Sequence, residues 1–300
     1  MKKTQKGTRK MKTYHIISNP VAGKNKASKN LNEVETLLKA YEVQYETHIS
    51  QGERDATRIA RELTSAGATE LIAVGGDGTL HEVLNGIEDP SSCNLGLIPS
   101  GTGNDFAEHI GLPLQTRDAL SVILDGEAKP TDYLDIGGVR CMNVAGLGMD
   151  VDVLERCKKG KMKGKLKYLL SLVQSLFAFK GYNVEIQSEG VTQTRDVLIA
   201  AACNGEQFGG GIKICPVADS TDGKLNAIIV DCIGGKMKII KAFMRLMKGK
   251  ILEYPAATHF TCEKLRFLPK NPCTVQLDGE LYTDLDFTVT LQKGLRFYRP

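Results

Sequence analysis

The sequence predicts an α/β domain with a parallel sheet, followed by a β-rich domain that forms an antiparallel sandwich. From residue 13 to about residue 125, apolar runs alternate between strand and helix periodicity, which is typical of a parallel sheet covered on both faces. After Pro130, short β-rich runs recur between turn residues, as they do in sandwiches and barrels. A chain of 300 residues has room for two such domains.

The elements of the first half follow from the spacing of apolar residues. The predicted strands are 14–18, 43–49, 71–74 and 95–98. Three helices are predicted from apolar residues three and four positions apart: Leu31, Val34, Leu38 and Tyr41; Ala56, Ile59, Ala60 and Leu63; Leu80, Val83, Leu84 and Ile87. Strand and helix therefore alternate in this half, as in a parallel sheet.

The second half contains mostly strands. They are predicted at 182–187, 197–203, 225–230, 259–267, 274–277 and 287–291. The boundary is placed near 126–134, where the segment GEAKPTDY breaks the periodicity. The predicted division is a disordered basic leader at 1–12, an α/β domain at 13–130 and a β-rich domain at 131–300. Whether the last strand returns to the first domain is left open.

Composition excludes several classes of protein. The net charge of +4 is local, because the first twelve residues carry six Lys/Arg and no acid, which leaves −2 for the other 288. A nearly neutral body with 6% aromatic residues and no Trp argues against a nucleic-acid partner. The eight cysteines form no C-x-x-C pair and are expected to be reduced thiols. The five histidines are scattered, and no metal cluster is expected among them.

Three glycine-bearing turns follow three predicted strands of the first domain. They are NPVAG at 19–23, GGDGT at 75–79 and PSGTGND at 99–105. Such turns gather at the carboxyl edge of a parallel sheet, where a glycine lets backbone N–H groups approach a phosphate. Asp77 and Asp105 add carboxylates, and Mg²⁺ is the natural ion between carboxylates and polyphosphate. Tight turns alone also use glycine, but three in one domain favour a phosphate site.

The motifs of the chain resemble those of the diacylglycerol kinase catalytic domain, and more narrowly those of the soluble bacterial lipid kinases. The first half carries the resemblance in NPVAG, GGDGT and GTGNDF, and the second half in NGEQFGGG (204–211), CPVADSTDGKL (215–225) and LDGE (277–280). A P-loop and an H-R-D catalytic loop are both missing from the sequence. The resemblance implies a fold like that of NAD kinases and phosphofructokinases in the first domain.

The resemblance also implies roles for individual residues. The implied catalytic residues are Glu280, as general base, and Asp77, near the catalytic Mg²⁺ and the phosphates. The implied ATP-site residues are Asn19, Pro20, Val21, Ala22, Gly23, Ser50, Gly76, Asp77, Gly78, Thr79, Leu80, His81, Glu82 and Thr102. A second Mg²⁺ would be held by Asp219, Asp222 and Lys224, with Lys224 contributing a backbone carbonyl.

The implied activity is an ATP- and Mg²⁺-dependent lipid kinase, with diacylglycerol as acceptor and phosphatidic acid as product. Other lipid alcohols, such as a sphingoid base, ceramide or phosphatidylglycerol, stay open as acceptors. A non-catalytic nucleotide- and lipid-binding regulator is the alternative from another class. The expected location is the cytoplasm, with peripheral contact at the inner, anionic face of the membrane, and a homodimer is left open.

Two basic stretches could meet such a membrane. Residues 156–167 (RCKKGKMKGKLK) hold seven Lys/Arg and no acid, which favours a loop that faces anionic lipid. Residues 236–250 hold six Lys/Arg and no acid. In this second stretch, Ile240, Phe243, Met244 and Met247 share a helical face, which predicts a helix that packs this face on the sandwich.

Overall fold

The computed structural model describes residues 12–149, 151 and 181–300, and it confirms the predicted fold class. Four parallel strands form the first domain, in the order β4-β3-β1-β2. Their bounds are β1 (Thr13–Ser18), β2 (Gln44–Ile49), β3 (Glu70–Gly75) and β4 (Asn94–Pro99). The helices of this domain are α1 (Ala22–Ala40), α2 (Asp55–Ser65), α3 (Asp77–Gly86), α4 (Asp105–His109) and α5 (Thr116–Asp125).

Helices cover both faces of this sheet because successive strand residues point to opposite sides. Ile16 and Ile72 belong to a buried cluster with residues of α1 and α5. Their neighbours Ile17 and Leu71 belong to a second cluster with residues of α2 and α3. The central strands β3 and β4 are therefore buried on both faces, and their carboxyl ends reach the turns where polar residues collect.

The second domain consists mainly of antiparallel strands. They are β5 (Ala128–Ile136), β6 (Val139–Cys141), β7 (Val144–Gly148), β8 (Tyr182–Ser188), β9 (Val191–Cys203), β10 (Gln207–Phe208), β11 (Ile212–Lys213), β12 (Leu225–Asp231), β13 (Ala257–Cys262), β14 (Lys264–Pro269), β15 (Val275–Leu277), β16 (Glu280–Tyr282) and β17 (Thr288–Tyr298). One further helix, α6 (Lys236–Met247), covers a cluster formed with residues of β9 and β12.

The strands β6, β7, β10, β11 and β16 were not predicted, and the observed strands also differ from the predicted ones at two places. The predicted strand 259–267 is two strands, because the chain leaves β12 after Cys262 and pairs with β8 and β17 from Lys264 onward. The segment 126–134, which was expected to break the periodicity, contains most of β5. Pro130 hid this strand. It is tolerated because the first half of β5 pairs with β17 alone among the described strands.

The last strand, β17, joins the two halves. It pairs antiparallel with β5 and β14, and its end pairs parallel with β4 of the first domain. Phe297 of this strand is fully buried, and its ring meets that of Phe106 edge-on at 5.1 Å. The two domains consequently share one continuous sheet.

Helix α6 packs with a different face from the one predicted. Ile239, Ala242 and Leu246 are buried, whereas Met244 and Met247 are 52% and 50% exposed. The apolar residues extend around much of this helix, so spacing alone did not identify the buried side. The basic stretch 156–167 lies outside the described residues. Among the described helices, none combines the length and apolar character needed to cross a bilayer.

Candidate active site

The three glycine turns lie together at the carboxyl edge of the first sheet and contact one another. A Cβ on Gly23 would lie 2.0 Å from the carbonyl oxygen of Ser100, and one on Gly76 would lie 2.8 Å from the Cα of Gly101. A side chain at either position would displace the neighbouring turn. The glycines at 23 and 76 are thus required for the turns to pack together.

Gly78 lies in the first turn of α3 and faces Glu280. A Cβ on Gly78 would lie 3.3 Å from Oε1 of Glu280, and it would meet no other atom within 4 Å. Gly76, the residue that precedes α3, has no side chain with which to cap the helix. The first N–H groups of a helix without a cap can donate hydrogen bonds to an anion. This end of α3 therefore suits a phosphate group next to Glu280.

A cleft of about 390 Å³ lies between the first glycine turn, the loop after β2 and Glu82 of α3. Its lining includes five of the predicted ATP-site residues: Asn19, Pro20, Val21, Ser50 and Glu82. The other predicted residues lie elsewhere in the three turns or, in the case of Leu80 and His81, farther along α3. Thr79 and Leu80 are buried with the core of the first domain, and Thr102 is exposed in the third turn. Any contact of Leu80 with a nucleotide would have to come from its backbone.

Asp77 and Asp105 bind backbone N–H groups of the protein. Oδ1 of Asp77 accepts a hydrogen bond from the N–H of Phe106 (3.1 Å) at the start of α4. The carboxylate of Asp105 accepts from the N–H groups of Gly210 (2.8 Å) and Gly211 (2.7 Å) in the second domain. Burial raises the pKa of both carboxyls, that of Asp105 to about 6. The two aspartates thereby hold the third turn against α3 and against the second domain.

Asp278 was not identified from the sequence, although it belongs to the LDGE segment. Its buried carboxylate accepts hydrogen bonds from the N–H groups of Met142 (2.7 Å) and Asn143 (2.8 Å). Nδ1 of His81 lies 3.2 Å from Oδ2 of Asp278, and Nε2 of His81 lies 2.6 Å from the hydroxyl of Tyr282. Burial by itself would raise the pKa of Asp278, but His81 and the backbone donors outweigh it and lower the pKa. His81 therefore links α3 to the second domain, and its ring is not directed at the ATP cleft.

A second cavity, of about 260 Å³, contains the carboxylate of Glu280. It shares Glu53 and Glu82 with the cleft described above, so the two spaces adjoin. The lining also includes Arg54, Arg61 and Tyr282. Burial, followed by the charge of Glu280, raises the pKa of Tyr282 to about 12, so this phenol stays protonated. An acceptor hydroxyl in this cavity could meet Glu280 while a nucleotide occupied the neighbouring cleft.

The predicted metal loop packs on β5, through a residue that the sequence did not indicate. The N–H of Gly223 donates to Oδ2 of Asp132 (2.8 Å), and Asp132 lies near both Asp219 and Asp222. Burial raises the pKa of Asp132, and the two neighbouring carboxylates add to this shift. The atoms of this loop that could bind a metal ion are carboxylate and carbonyl oxygens, which suit a hard cation such as Mg²⁺. Nζ of Lys224 lies 3.8 Å from Oδ2 of Asp222. A protonated amine has no lone pair to give to a metal ion, so only the backbone carbonyl of Lys224 could serve as a ligand.

Comparison with known proteins extends over both domains. The diacylglycerol kinase catalytic domain family matches residues 13–136, and the YegS C-terminal NAD kinase beta sandwich-like domain family matches residues 143–295. A Xanthomonas campestris protein named "Probable lipid kinase YegS-like" is 30% identical over 290 residues, which cover 93% of this chain and 94% of that protein. The diacylglycerol kinase of Bacillus subtilis is 29% identical over 278 residues, 90% of each chain.

A solved structure has the same overall fold. The crystal structure of a diacylglycerol kinase from Bacillus anthracis aligns with a TM-score of 0.78 and 25% identity. The alignment covers 97% of this chain and 98% of that one. The likeness therefore includes the arrangement of the two domains as well as their individual folds.

The raised pKa of Asp105 predicts a pH-dependent stability. In the unfolded chain this carboxyl titrates near about pH 4, so between about pH 4 and pH 6 the folded protein binds more protons. The favourable contribution is complete below about pH 4 and is lost as the pH rises through 6, a change of about 3 kcal/mol. The stability of wild type relative to Asp105→Asn should fall by this amount between pH 4 and pH 7, as measured by urea unfolding. Exposed Asp125→Asn should show no such trend, and parallel pH curves for wild type and Asp105→Asn would contradict the assignment.

The predicted metal loop, with Asp219, Asp222 and Lys224, provides a second prediction. Mg²⁺ should raise the melting temperature of the wild-type protein, because an ion that binds only the folded state stabilises it by mass action. Asp222→Ala should respond less to the same Mg²⁺ series in a thermal-shift measurement. Asp125→Ala, which removes an exposed carboxylate at the end of α5, is the matched control and should respond as the wild type does. Equal shifts in all three proteins would place no ion in this loop.

Proposed function

We propose that this protein, which belongs to the diacylglycerol kinase-like family of lipid kinases, transfers the γ-phosphate of ATP to the hydroxyl group of a lipid. One observation supports this most strongly. The carboxylate of Glu280 lies beside Gly78 in the first turn of α3, where the helix end suits a phosphate. A binding protein without activity would have no need of a base at this point.

The reaction follows from the two adjoining cavities. ATP would bind in the cleft at the glycine turns, and the lipid hydroxyl would enter the cavity that contains Glu280. The hydroxyl oxygen forms a bond to the γ-phosphorus, and the bond between that phosphorus and the oxygen of the leaving ADP breaks. Glu280 accepts the hydroxyl proton, which contributes about 10²- to 10⁴-fold to the rate.

Proton transfer to Glu280 has to come late in the reaction. An ordinary carboxylate has a pKa of about 4, far below that of an alcohol, so it gains the proton only as the O–P bond forms. A divalent cation bound with the nucleotide neutralises charge on the phosphates. Asp77, Asp105 and Asp278 keep Glu280 and the third glycine turn in position by binding the backbone and His81.

Diacylglycerol is the proposed acceptor, which makes phosphatidic acid the product. The motifs in both halves of the chain and the diacylglycerol kinase of Bacillus subtilis support this choice. Other lipid alcohols differ in head group, and the cavity beside Glu280 would have to accommodate them.

The deciding experiment is to incubate the purified protein with γ-labelled ATP, Mg²⁺ and a series of lipid alcohols in mixed micelles. Labelling of phosphatidylglycerol or ceramide in place of diacylglycerol would change the acceptor but keep the reaction.

The role of Glu280 can be tested by removing its charge alone. Glu280→Gln keeps the shape and hydrogen-bonding capacity of the side chain but cannot take up the proton. We expect kcat to fall by at least about 10²-fold while calorimetry shows nearly unchanged ATP binding. Glu263→Gln, at an exposed position between β13 and β14, should retain full activity. Turnover of Glu280→Gln within a few-fold of wild type would leave Glu280 as a turn residue only.

Access to a bilayer lipid requires contact with its surface, and the exposed side of α6 is suited to it. Met237, Met244 and Met247 are exposed together with Lys241 and Lys248. A groove of about 480 Å³ on this side is lined by Lys241, Met244 and Lys248. Lysines attract anionic head groups, and exposed methionines can enter the interface between head groups and acyl chains. Peripheral contact of α6 with an anionic membrane is therefore part of the proposal.

Removing two of these charges should weaken binding to anionic vesicles. Each Lys near such a surface contributes about 1 kcal/mol, so Lys241→Gln with Lys248→Gln should cost about 30-fold at low salt. Vesicle sedimentation measures this loss. Activity on a short-chain acceptor in detergent should be unchanged. The double variant Lys39→Gln with Lys129→Gln, at exposed positions of α1 and β5, controls for net charge. Equal losses by both double variants would indicate a general charge effect.

A further inference from the structure

Two histidines and a glutamate meet on one face of the edge of the first sheet. His15 of β1 lies directly opposite Glu46 of β2 in the parallel pairing. His48 is two residues beyond Glu46, so the period of two places it on the same face. The sequence suggested no metal cluster among the histidines, because the residues that meet here come from two strands separated by α1.

The ring nitrogens and the carboxylate of this cluster lie close together, but they do not form ordinary hydrogen bonds. Nδ1 of His15 lies 3.4 Å from Oε2 of Glu46, and Nε2 of His48 lies 3.9 Å from the same oxygen. The candidate ligand atoms of the three residues all lie within 4.8 Å of one another. The two imidazole rings stack with centroids 5.7 Å apart, at an interplanar angle of 29°.

Neither of these nitrogens has another partner. Nδ1 of His15 and Nε2 of His48 are both buried from solvent and lack a hydrogen-bond partner among the described residues. A buried polar atom without a partner is unfavourable, because it has lost its water and gained nothing. Both nitrogens lie near one carboxylate oxygen, which is an arrangement that a shared cation would satisfy.

The separations also match metal coordination. Zn²⁺ binds histidine nitrogen and carboxylate oxygen at about 2.0–2.2 Å, usually in tetrahedral geometry. Two ligand atoms of such a tetrahedron lie about 3.3–3.6 Å apart. The separation of His15 and Glu46 falls in this range, and that of His48 and Glu46 exceeds it by a few tenths of an ångström. The ligand atoms all lie within 4.8 Å of one another, so the His48 ring has to move toward the other two ligands when an ion binds.

We propose that His15, Glu46 and His48 form a binding site for a Zn²⁺-class transition-metal ion, with water as the fourth ligand. Imidazole nitrogen favours such ions over Mg²⁺ and Ca²⁺, which prefer oxygen. The site stands independently of the lipid kinase reaction.

The position of the site indicates what the ion does. In the described sheet, β2 is the last strand, and β1 is its one neighbour. An edge strand has unpaired backbone groups on its outer side and is held by one ladder of hydrogen bonds. An ion that bridges His15 to Glu46 and His48 cross-links β2 to β1. The expected effect is a more stable edge of the nucleotide-binding domain.

The test is a titration of the full-length chain, stripped of metal with a chelator, in buffer that contains excess Mg²⁺. Calorimetry with Zn²⁺ should show one ion bound per chain, and Zn²⁺ should raise the melting temperature. His15→Gln and His48→Gln should each weaken binding by at least about 100-fold, since losing even an indirect partner of a metal ligand costs 10- to 100-fold. His259→Gln is the matched control, because His259 also lies on a strand but bonds to Asn226 at 2.9 Å.

Cysteine thiolates could also bind an added metal ion. The visible spectrum of bound Co²⁺ distinguishes thiolate ligands from nitrogen and oxygen ligands. Co²⁺ bound by nitrogen and oxygen gives a visible spectrum without the charge-transfer band of a thiolate ligand. That spectrum should appear with wild type and be lost in Glu46→Gln, whose exposed side chain can change without unfolding the protein. A thiolate band, unchanged affinity in both histidine variants, or no binding by wild type would each overturn the proposal.

Discussion

The arrangement of the active site depends on the buried carboxylate of Asp278. A charge in the protein interior is tolerated only when hydrogen bonds replace its lost water, and breaking such a set costs about 3–5 kcal/mol. Here the donors come from both halves of the protein, since His81 belongs to α3 and Met142 and Asn143 follow β6. Asp278 itself has a left-handed backbone, with φ of 53°, and Gly279 follows at 88°. This turn directs the chain so that Glu280 lies over the first turn of α3.

The same principle changes how the glycine turns are understood. Their aspartates were expected to face an ion or a phosphate, yet Asp77 and Asp105 bind the N–H groups of Phe106, Gly210 and Gly211. Gly76 is required where its turn meets Gly101, whereas Gly78 is open toward Glu280. The turns thus form one packed unit, and the surface left for phosphate is the end of α3. Residues that hold a site together and residues that touch its ligand look alike in the sequence.

Periodicity predicted the fold class and nearly all the strands of the first domain, because a strand buried on both faces is a continuous apolar run. It missed β5, where Pro130 resembles a break, and it chose the wrong face of α6, where Ile239 and Met244 are equally apolar. The motifs identified Glu280. They did not indicate that Asp278, His81 and Asp132 hold the two domains and the metal loop in place, because these roles arise from contacts between distant segments. The Glu46–His48 spacing was visible, but its partner His15 required knowledge of strand pairing.

The parallel pairing of β17 with β4 affects how the protein can be made in the cell. The paired residues Asn94 and Arg296 are 202 positions apart in the chain, so β4 lacks its neighbour on this side until β17 has been synthesised. Until then Leu95 and Leu97 lie on an unprotected strand, of the kind that recruits other chains into aggregates. Contacts this distant along the chain also slow folding, since a long loop must close before they form. Nascent chains of this protein should depend on chaperones until β17 emerges, and a chain that stops before β17 should yield an aggregating fragment rather than a free-standing first domain.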